Sequence, residues 1–174
     1  MRLFVRLSLV GLILLIAIGF WIQSTNTKEI AKLAPTTAIG LCEGDGVSVV
    51  VDFGTDSELA PIQKCVTNYV GNSWNLMLTS GIEVEGTSKY PVGFVCRING
   101  IPTKETESCI ETPGAANGSW AFYLAEASSW EYSSFGASSH SSKCGTTEGW
   151  RFLLPGESTS TFPRIKPLKH NCEK

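Results

Sequence analysis

Charged residues are scarce in this chain, and those present do not form a basic stripe. They make up 17% of the 174 residues and leave a net charge of −2, which becomes more negative when Arg2 and Arg6 near the N-terminus are set aside. Proteins that bind nucleic acid usually present clustered positive charge to the phosphate backbone. We therefore expect no nucleic-acid partner.

The familiar motifs of enzyme chemistry are also missing. The sequence has no Gly-x-Ser-x-Gly elbow, no glycine-rich phosphate loop, no paired-carboxylate motif and no nucleotide fingerprint. Only two histidines occur, His140 in a serine-rich stretch and His170 near the C-terminus. These absences predict a protein without cofactor or catalytic residues, and favour a binding module over an enzyme.

Charge is absent altogether from residues 7–22, a run of sixteen residues that follows Arg2 and Arg6. A basic start and an apolar run of this length are typical of a signal anchor or of a cleavable signal peptide. No clear small-x-small cleavage site follows, and Trp21 suits a membrane interface, so the anchor is favoured. Either alternative places the rest of the chain outside the cytoplasm, at the cell membrane or secreted.

Cysteine is absent from that leader, and all six cysteines follow it. An even number of cysteines in an oxidising compartment predicts disulfide bonds, although six cysteines allow fifteen pairings. Sequence proximity favours two pairs, Cys96 with Cys109 and Cys42 with Cys65, which leaves Cys144 to pair with Cys172.

A zinc site is the alternative use of the last two cysteines. His140, Cys144, His170 and Cys172 have the ligand types of a tetrahedral zinc centre. A hydrolase or metal-dependent enzyme that uses His140 with Cys144 is therefore the rival hypothesis, and a purely structural envelope protein is a third. Because thiols tend to oxidise outside the cytoplasm, we expect disulfides and no metal.

Composition and periodicity divide the chain into four parts. Residues 1–22 are the signal anchor or signal peptide, and 23–43 form a spacer that contains Pro35. Residues 44–154 form the extracytoplasmic domain. Residues 155–174 have turn-forming residues and lysines but no period, so we interpret them as a polar tail unless Cys172 pins them back.

Alternation of apolar residues predicts most of the strands. A central strand is expected at 47–53, and an apolar strand that ends in the Asn99-Gly100 turn at 90–98. The other predicted strands are a short one at 82–88, a hairpin of 120–125 with 130–132, and a last strand at 148–154.

The period changes to that of a helix after Cys65. The apolar face of this predicted helix consists of Val66, Val70, Trp74, Met77 and Leu78. We expect Thr67 or Asn68 to cap its start and Gly81 to follow its end. One helix packed on a mostly antiparallel sheet of four or five strands, held by disulfides, is an α+β fold.

Six short segments of the sequence resemble known proteins. They occur in order at 46–54, 93–100, 109–113, 120–123, 130–134 and 148–152. Together they resemble a family of exported, mostly uncharacterised actinobacterial proteins. They are more distantly similar to the small β-grasp domain at the C-terminus of vitamin B12 carriers of the transcobalamin type.

The resemblance covers residues 44–153 and implies a β-grasp-like fold without enzymatic activity. It also implies capture of a small, corrinoid-like molecule near a vitamin or metal uptake system. The partners expected on this basis are a small-molecule ligand or a transporter or other envelope protein. The serine-rich loop at 133–147 departs from the family.

Aromatic and charged residues on the strands supply the candidate ligand contacts. Trp74, Trp120 and Trp150 share faces with other apolar residues, so we expect them in the core. Tyr123, Trp130 and Tyr132 have serine and glutamate neighbours and are the predicted exposed ligand contacts.

Arg97 and Arg151, together with Asp52 and Glu148, are predicted to lie opposite the apolar faces of their strands. They would form either a polar ligand site or cross-strand ion pairs on the solvated side of the sheet.

Overall fold

The computed structural model describes residues 34–55, 57–114, 116–168 and 172. The predicted leader at 1–22, most of the spacer and His170 lie outside the described residues, so the signal-anchor interpretation stays a prediction. Over the described ranges, no helix combines the length and apolar character needed to cross a membrane.

Eight strands and one helix occur among the described residues. In chain order these are β1 (Thr36–Ile39), β2 (Val47–Asp52), β3 (Ile62–Thr67), α1 (Ser73–Thr79), β4 (Val84–Gly86), β5 (Val95–Ile98), β6 (Ser119–Glu126), β7 (Ser129–Tyr132) and β8 (Thr147–Leu153).

The main sheet has six strands in the order β1-β3-β2-β8-β6-β7, and β4 and β5 form a separate two-stranded ribbon. Strand β2 pairs in parallel with β8, and every other pairing among the described strands is antiparallel. The described chain is mostly β with one short helix, so the predicted α+β fold, a mostly antiparallel sheet with a single helix, is confirmed in part. The expected four or five strands are too few, because residues 36–39 and 62–67 also form strands of the sheet.

Strand β2 lies in the middle of the sheet, as its sequence predicts. All six of its residues are buried, including Val47, Val49 and Val51 on one face. β-Branched side chains are favoured on such a pleated, buried surface. The parallel partner β8 joins β2 to a part of the chain almost one hundred residues away.

The helix begins later than its apolar spacing predicts. Val66 belongs to β3, which is hydrogen-bonded to β1 on one side and to β2 on the other. Two ladders of backbone hydrogen bonds outweigh the weak local preference for helix. Asn72, not Thr67 or Asn68, caps α1 by accepting a hydrogen bond from the Asn75 amide at 3.0 Å.

The end of α1 agrees with the prediction. Gly81 follows the C-cap residue Ser80 and has a φ of 76°, a left-handed conformation that glycine adopts without steric cost. The Asn99-Gly100 turn is also confirmed, with φ values of 47° and 79°. Ile98 and Ile101 exchange two backbone hydrogen bonds of 2.9 Å across it.

Both faces of the main sheet are covered. The helix face carries Phe122 and Trp150, packed with Trp74 of α1 and with Val95 and Ile98 of the ribbon. The tail face carries a second apolar cluster, Val50, Ala121, Tyr123, Ala125, Trp130 and Leu153, with Leu41 and Ile165 packed against it. The predicted core positions of Trp74, Trp120 and Trp150 are confirmed.

The C-terminal segment, residues 155–168, covers the tail face and is not a free polar tail. Its attachment reflects the apolar character of that face, which needs a cover to be removed from water. Likewise, residues 36–39 of the predicted spacer form β1, and the compact unit begins at Pro35.

All three predicted disulfides are present, and no cysteine is free. Cys42–Cys65 ties the segment after β1 to β3, and Cys96–Cys109 ties β5 to the following loop. Cys144–Cys172 joins the loop before β8 to the end of the chain. Their Cα–Cα distances of 4.9, 5.9 and 6.0 Å lie in the range that a disulfide can bridge.

Candidate functional site

The predicted aromatic contacts lie together on the tail face, but only one of them is exposed. Tyr132 is half exposed, and its ring lies 5.9 Å from that of Tyr123. Tyr123 and Trp130 are buried. The expectation that these two are accessible is therefore wrong, because the C-terminal segment covers them.

Hydrogen bonds to backbone oxygens hold that segment in place. The Tyr123 hydroxyl donates to the Thr161 carbonyl at 2.8 Å, and the Trp130 indole N–H donates to the Ile165 carbonyl at 2.8 Å. Each polar group of these aromatic side chains is thus satisfied inside the protein. The two rings are part of the structural support of the C-terminal segment.

A buried ion-pair network anchors the same segment. Arg151 donates to Asp52 at 3.0 Å and to Glu157 at 2.9 Å, while Arg164 donates to Asp52 at 2.7 Å. Cross-strand ion pairs were one of the two predicted uses of these residues, and Asp52 and Arg151 form one, but the predicted solvated position is wrong. Because Asp52 and Arg151 are almost fully buried, neither is available to a ligand in this arrangement.

The environment of Asp52 keeps it ionised. Burial alone would raise its pKa, but hydrogen bonds from the side chain and backbone of Arg164 and from the Gly54 amide, and the charge of Arg151, outweigh this and lower the pKa below its ordinary value. The ionised Asp52 carboxylate therefore stays bound to Arg151 and Arg164 and helps to hold the C-terminal segment in place.

Arg97 also has a structural role. Its Nε donates to the Pro102 carbonyl, and its other two nitrogens donate to the Glu85 carboxylate and the Glu107 carbonyl, each at 2.6 Å. The bond to Glu85 joins β5 to β4, and the other two tie the β4–β5 ribbon to the loop that follows it. Arg97 is nearly buried, so it shapes its surroundings and offers little free charge.

A cleft of about 350 Å³ opens beside this ribbon. It is lined by Glu83, Val84, Glu85, Arg97, Asn99, Gly100 and Lys104. Small-molecule sites commonly occupy about 300 to 1,000 Å³, so the cleft is large enough for a small ligand. Glu83 and Lys104 are exposed and present opposite charges to it.

A second polar site, which the sequence did not indicate, lies beneath the 133–146 loop on the helix face. Its centre is Glu148 of β8, whose side chain is 1% exposed. His140 of the loop approaches it, with 3.5 Å between Nε2 and a carboxylate oxygen. Glu148 shares a face with Trp150 and Phe152, so the prediction that it lies opposite the apolar face is wrong.

Polar atoms around Glu148 are not all paired. Both carboxylate oxygens and the hydroxyls of Ser73 and Ser142 are buried without a hydrogen-bond partner among the described residues. Burial raises the pKa of Glu148 to about 7, although the two nearby hydroxyls oppose this effect. Burial also lowers the pKa of His140, and Lys143 adds to that shift.

Neither rival arrangement is found among the described residues, which do not include His170. Asp45, Cys144 and Cys172 lie close together, but both sulfurs are bonded to each other and cannot bind zinc as thiolates. A hydrolytic triad needs a serine hydroxyl on one side of the imidazole and an acid on the other. His140 faces Glu148, and no serine of the described chain is hydrogen-bonded to its ring.

Comparisons with protein-family models, with curated proteins and with solved structures found no match to this chain.

Proposed function

We propose that this protein is an extracytoplasmic binding module without enzymatic activity, held at the membrane by its N-terminal segment. The cleft beside the β4–β5 ribbon is the proposed ligand site. The observation that carries the proposal is the cleft itself, with its volume, its opposite charges at Glu83 and Lys104, and its rigid wall around Arg97.

The hydrogen bonds of Arg97 support a cleft that exists before the ligand arrives. Two of these bonds and the Cys96–Cys109 disulfide fix the ribbon to the following loop, and the third joins its two strands. A preformed site binds more tightly because less conformational entropy is lost on association. The charges of Glu83 and Lys104 favour a ligand that carries both polar and charged groups.

The proposed compartment follows from the leader and from the cysteines. Three disulfides are typical of domains that fold outside the cytoplasm, and the apolar run at 7–22 supports export with or without cleavage. The proposed location is the cell membrane with an extracytoplasmic domain. A transporter or another envelope protein is the proposed partner for transfer of the ligand.

The resemblance to transcobalamin-type β-grasp domains makes corrinoids the first ligands to test. A strand, helix, strand order supports this proposal, since β3 precedes α1 and β4 follows it. The sheet is larger than the predicted one. The β-grasp assignment, the relation to exported actinobacterial proteins and the corrinoid ligand are all parts of this proposal.

Calorimetric titration of the full-length chain in detergent micelles tests the function. We expect saturable binding of cobalamin or of another member of a small-molecule panel. Lys104→Met and Glu83→Gln should each weaken binding by roughly tenfold, the loss of one charged contact. Lys166→Met, which changes an exposed lysine on the C-terminal segment, should leave the affinity unchanged.

Fluorescence gives an independent measure of binding. The Trp120 indole N–H donates to the Ile101 carbonyl at 2.9 Å, next to the cleft wall. Ligand binding should therefore change Trp120 emission, and Trp120→Phe should abolish that change. The absence of heat and fluorescence response for every panel member, with no co-purifying partner, would refute the binding module.

A further inference from the structure

The 133–146 loop is attached to the start of α1 by backbone hydrogen bonds. The amides of Ser73 and Trp74 donate to the carbonyls of His140 and Ala137 at 3.2 and 3.1 Å. The Ser142 amide donates in return to the Gly71 carbonyl at 2.9 Å. Because amides in the first turn of a helix have no partner inside it, the loop satisfies them from outside.

Glu148 lies directly beneath this attachment. Its carboxylate is buried, 3.5 Å from His140 of the loop and near Ser73 of the helix. An ionised carboxylate is costly in such a place, because burial removes its water and the nearby Ser73 and Ser142 hydroxyls oppose this effect only in part. The cost disappears when the carboxylate is protonated, or when the loop opens and admits water.

We propose that Glu148 takes up a proton beneath the closed 133–146 loop, so that the loop is fastened to α1 in acidic surroundings and loosened as the pH rises. His140 is the contact through which the proton reaches Glu148, because its side chain is 19% exposed and touches both solvent and the carboxylate.

Few charged groups face Glu148 and His140, so these two residues act mainly on each other. The segment before α1 presents Tyr69, whose pKa is raised to about 12 by burial and by Glu148, so it stays neutral. The strands on either side of β8 present Val49 and Leu124 as the partners of Glu148. Lys143 of the loop acts on His140 and disfavours its protonation.

Linkage determines the direction of the effect. When the loop is closed, the pKa of Glu148 is about 7, whereas water restores its ordinary value of 4.5 when the loop opens. The closed state therefore binds an extra proton between these values and is favoured by acid. The lowered pKa of His140 acts in the opposite sense below 6.5 and reduces the gain.

Hydrogen exchange of the full-length chain in detergent micelles tests this pH-dependent attachment of the 133–146 loop to α1, which we call the latch. The Ser73, Trp74 and Ser142 amides report on the loop, after correction for the intrinsic exchange rate at each pH. We expect their protection to be roughly threefold to tenfold greater at about pH 5 than at about pH 8. This factor is smaller than the uptake of one full proton would give, because His140 titrates in the opposite sense. The Val50 amide of the central strand reports on global unfolding and should be more protected throughout.

Three variants distinguish the contribution of Glu148 from that of His140. Glu148→Gln should abolish the rise in protection toward acid, because the amide cannot take up the proton. His140→Asn should make the rise steeper by removing the opposing titration. Glu131→Gln, an exposed glutamate on β7, is the matched control and should behave like the wild type.

The latch is overturned if the loop amides show no pH dependence in the wild type. It is equally overturned if Glu148→Gln retains the wild-type profile, or if the loop amides exchange at the rate of Val50, which would mean that the loop opens only when the protein unfolds. Should Glu148→Gln fail to fold, the steeper profile of His140→Asn supports the proposal and a flat one refutes it.

Discussion

The burial of Glu148 makes stability depend on pH. Its pKa of about 7 lies above the ordinary 4.5, so the native state holds a proton that the unfolded state has released between these values. The contribution of Glu148 to the free energy of unfolding is therefore full below about pH 4.5 and declines until about pH 7.

Glu148→Gln tests this contribution, because glutamine has the same shape and no charge. Relative to the wild type, we expect the variant to gain about 2 to 3 kcal/mol in unfolding free energy on going from pH 5 to pH 8. Urea unfolding with the disulfides intact measures the difference. A difference that does not change with pH would contradict the raised pKa.

Gly149 is a second residue whose role depends on close packing. A Cβ at this position would lie 2.7 Å from the Trp130 ring and 3.2 Å from Pro163. Since the Trp130 indole is hydrogen-bonded to the C-terminal segment, it cannot move aside freely. The absence of a side chain at Gly149 therefore lets the Trp130 ring lie close to β8.

Gly149→Ala should destabilise the protein by about 1 to 3 kcal/mol, the usual cost of overpacking. Gly44→Ala is the control, because a Cβ there meets open space. Urea unfolding distinguishes the two, and equal stability of both variants would show that Trp130 adapts without cost.

At the scale of elements, the C-terminal segment decides which surface of the sheet is available. It buries Tyr123 and Trp130, and its Arg164 reaches back to Asp52 on the central strand. Local sequence cannot reveal this contact, because the two residues are 112 positions apart. The signal in the sequence was Cys172, whose disulfide could hold the C-terminal segment against the domain.

Arg164→Met should loosen the C-terminal segment and destabilise the protein by roughly 1 to 3 kcal/mol, because a buried carboxylate loses a charged partner. Hydrogen exchange of residues 155–168 should become faster, while that of β2 stays slow. Lys166→Met is the matched control. Unchanged exchange in Arg164→Met would show that the apolar contacts alone hold the segment.

Across the whole molecule, the disulfides restrict the unfolded chain more than any single contact does. Cys144–Cys172 closes a span of 28 residues and Cys96–Cys109 a span of 13. Chain-entropy arguments assign about 3 to 4 kcal/mol to each of these closures.

Replacing Cys144 and Cys172 together by serine should therefore lower the free energy of unfolding by about 3 kcal/mol while the sheet persists. Urea unfolding followed by circular dichroism measures both effects. The wild type made under oxidising conditions should contain no free thiol after denaturation, and detection of one would contradict the three pairings.

Sequence proximity favoured the disulfide pairs, but the structure decided among the fifteen possible pairings. The sequence by itself determined the central strand β2, the hairpin of β6 and β7, and the turn at Asn99-Gly100. These features depend on neighbours in the chain or on a strict local period, so their physical cause is visible in the sequence. The two strands at 36–39 and 62–67 were hidden, because their stability comes from pairing with distant partners and not from an alternating pattern.

Only the tertiary structure decided which polar groups are buried together. Tyr123 and Trp130 looked exposed beside serine and glutamate, but a segment from the end of the chain covers them. Glu148 and His140 meet because a loop folds over the sheet and attaches to α1. Burial and pKa depend on the sum of surrounding atoms in three dimensions, which no local pattern records.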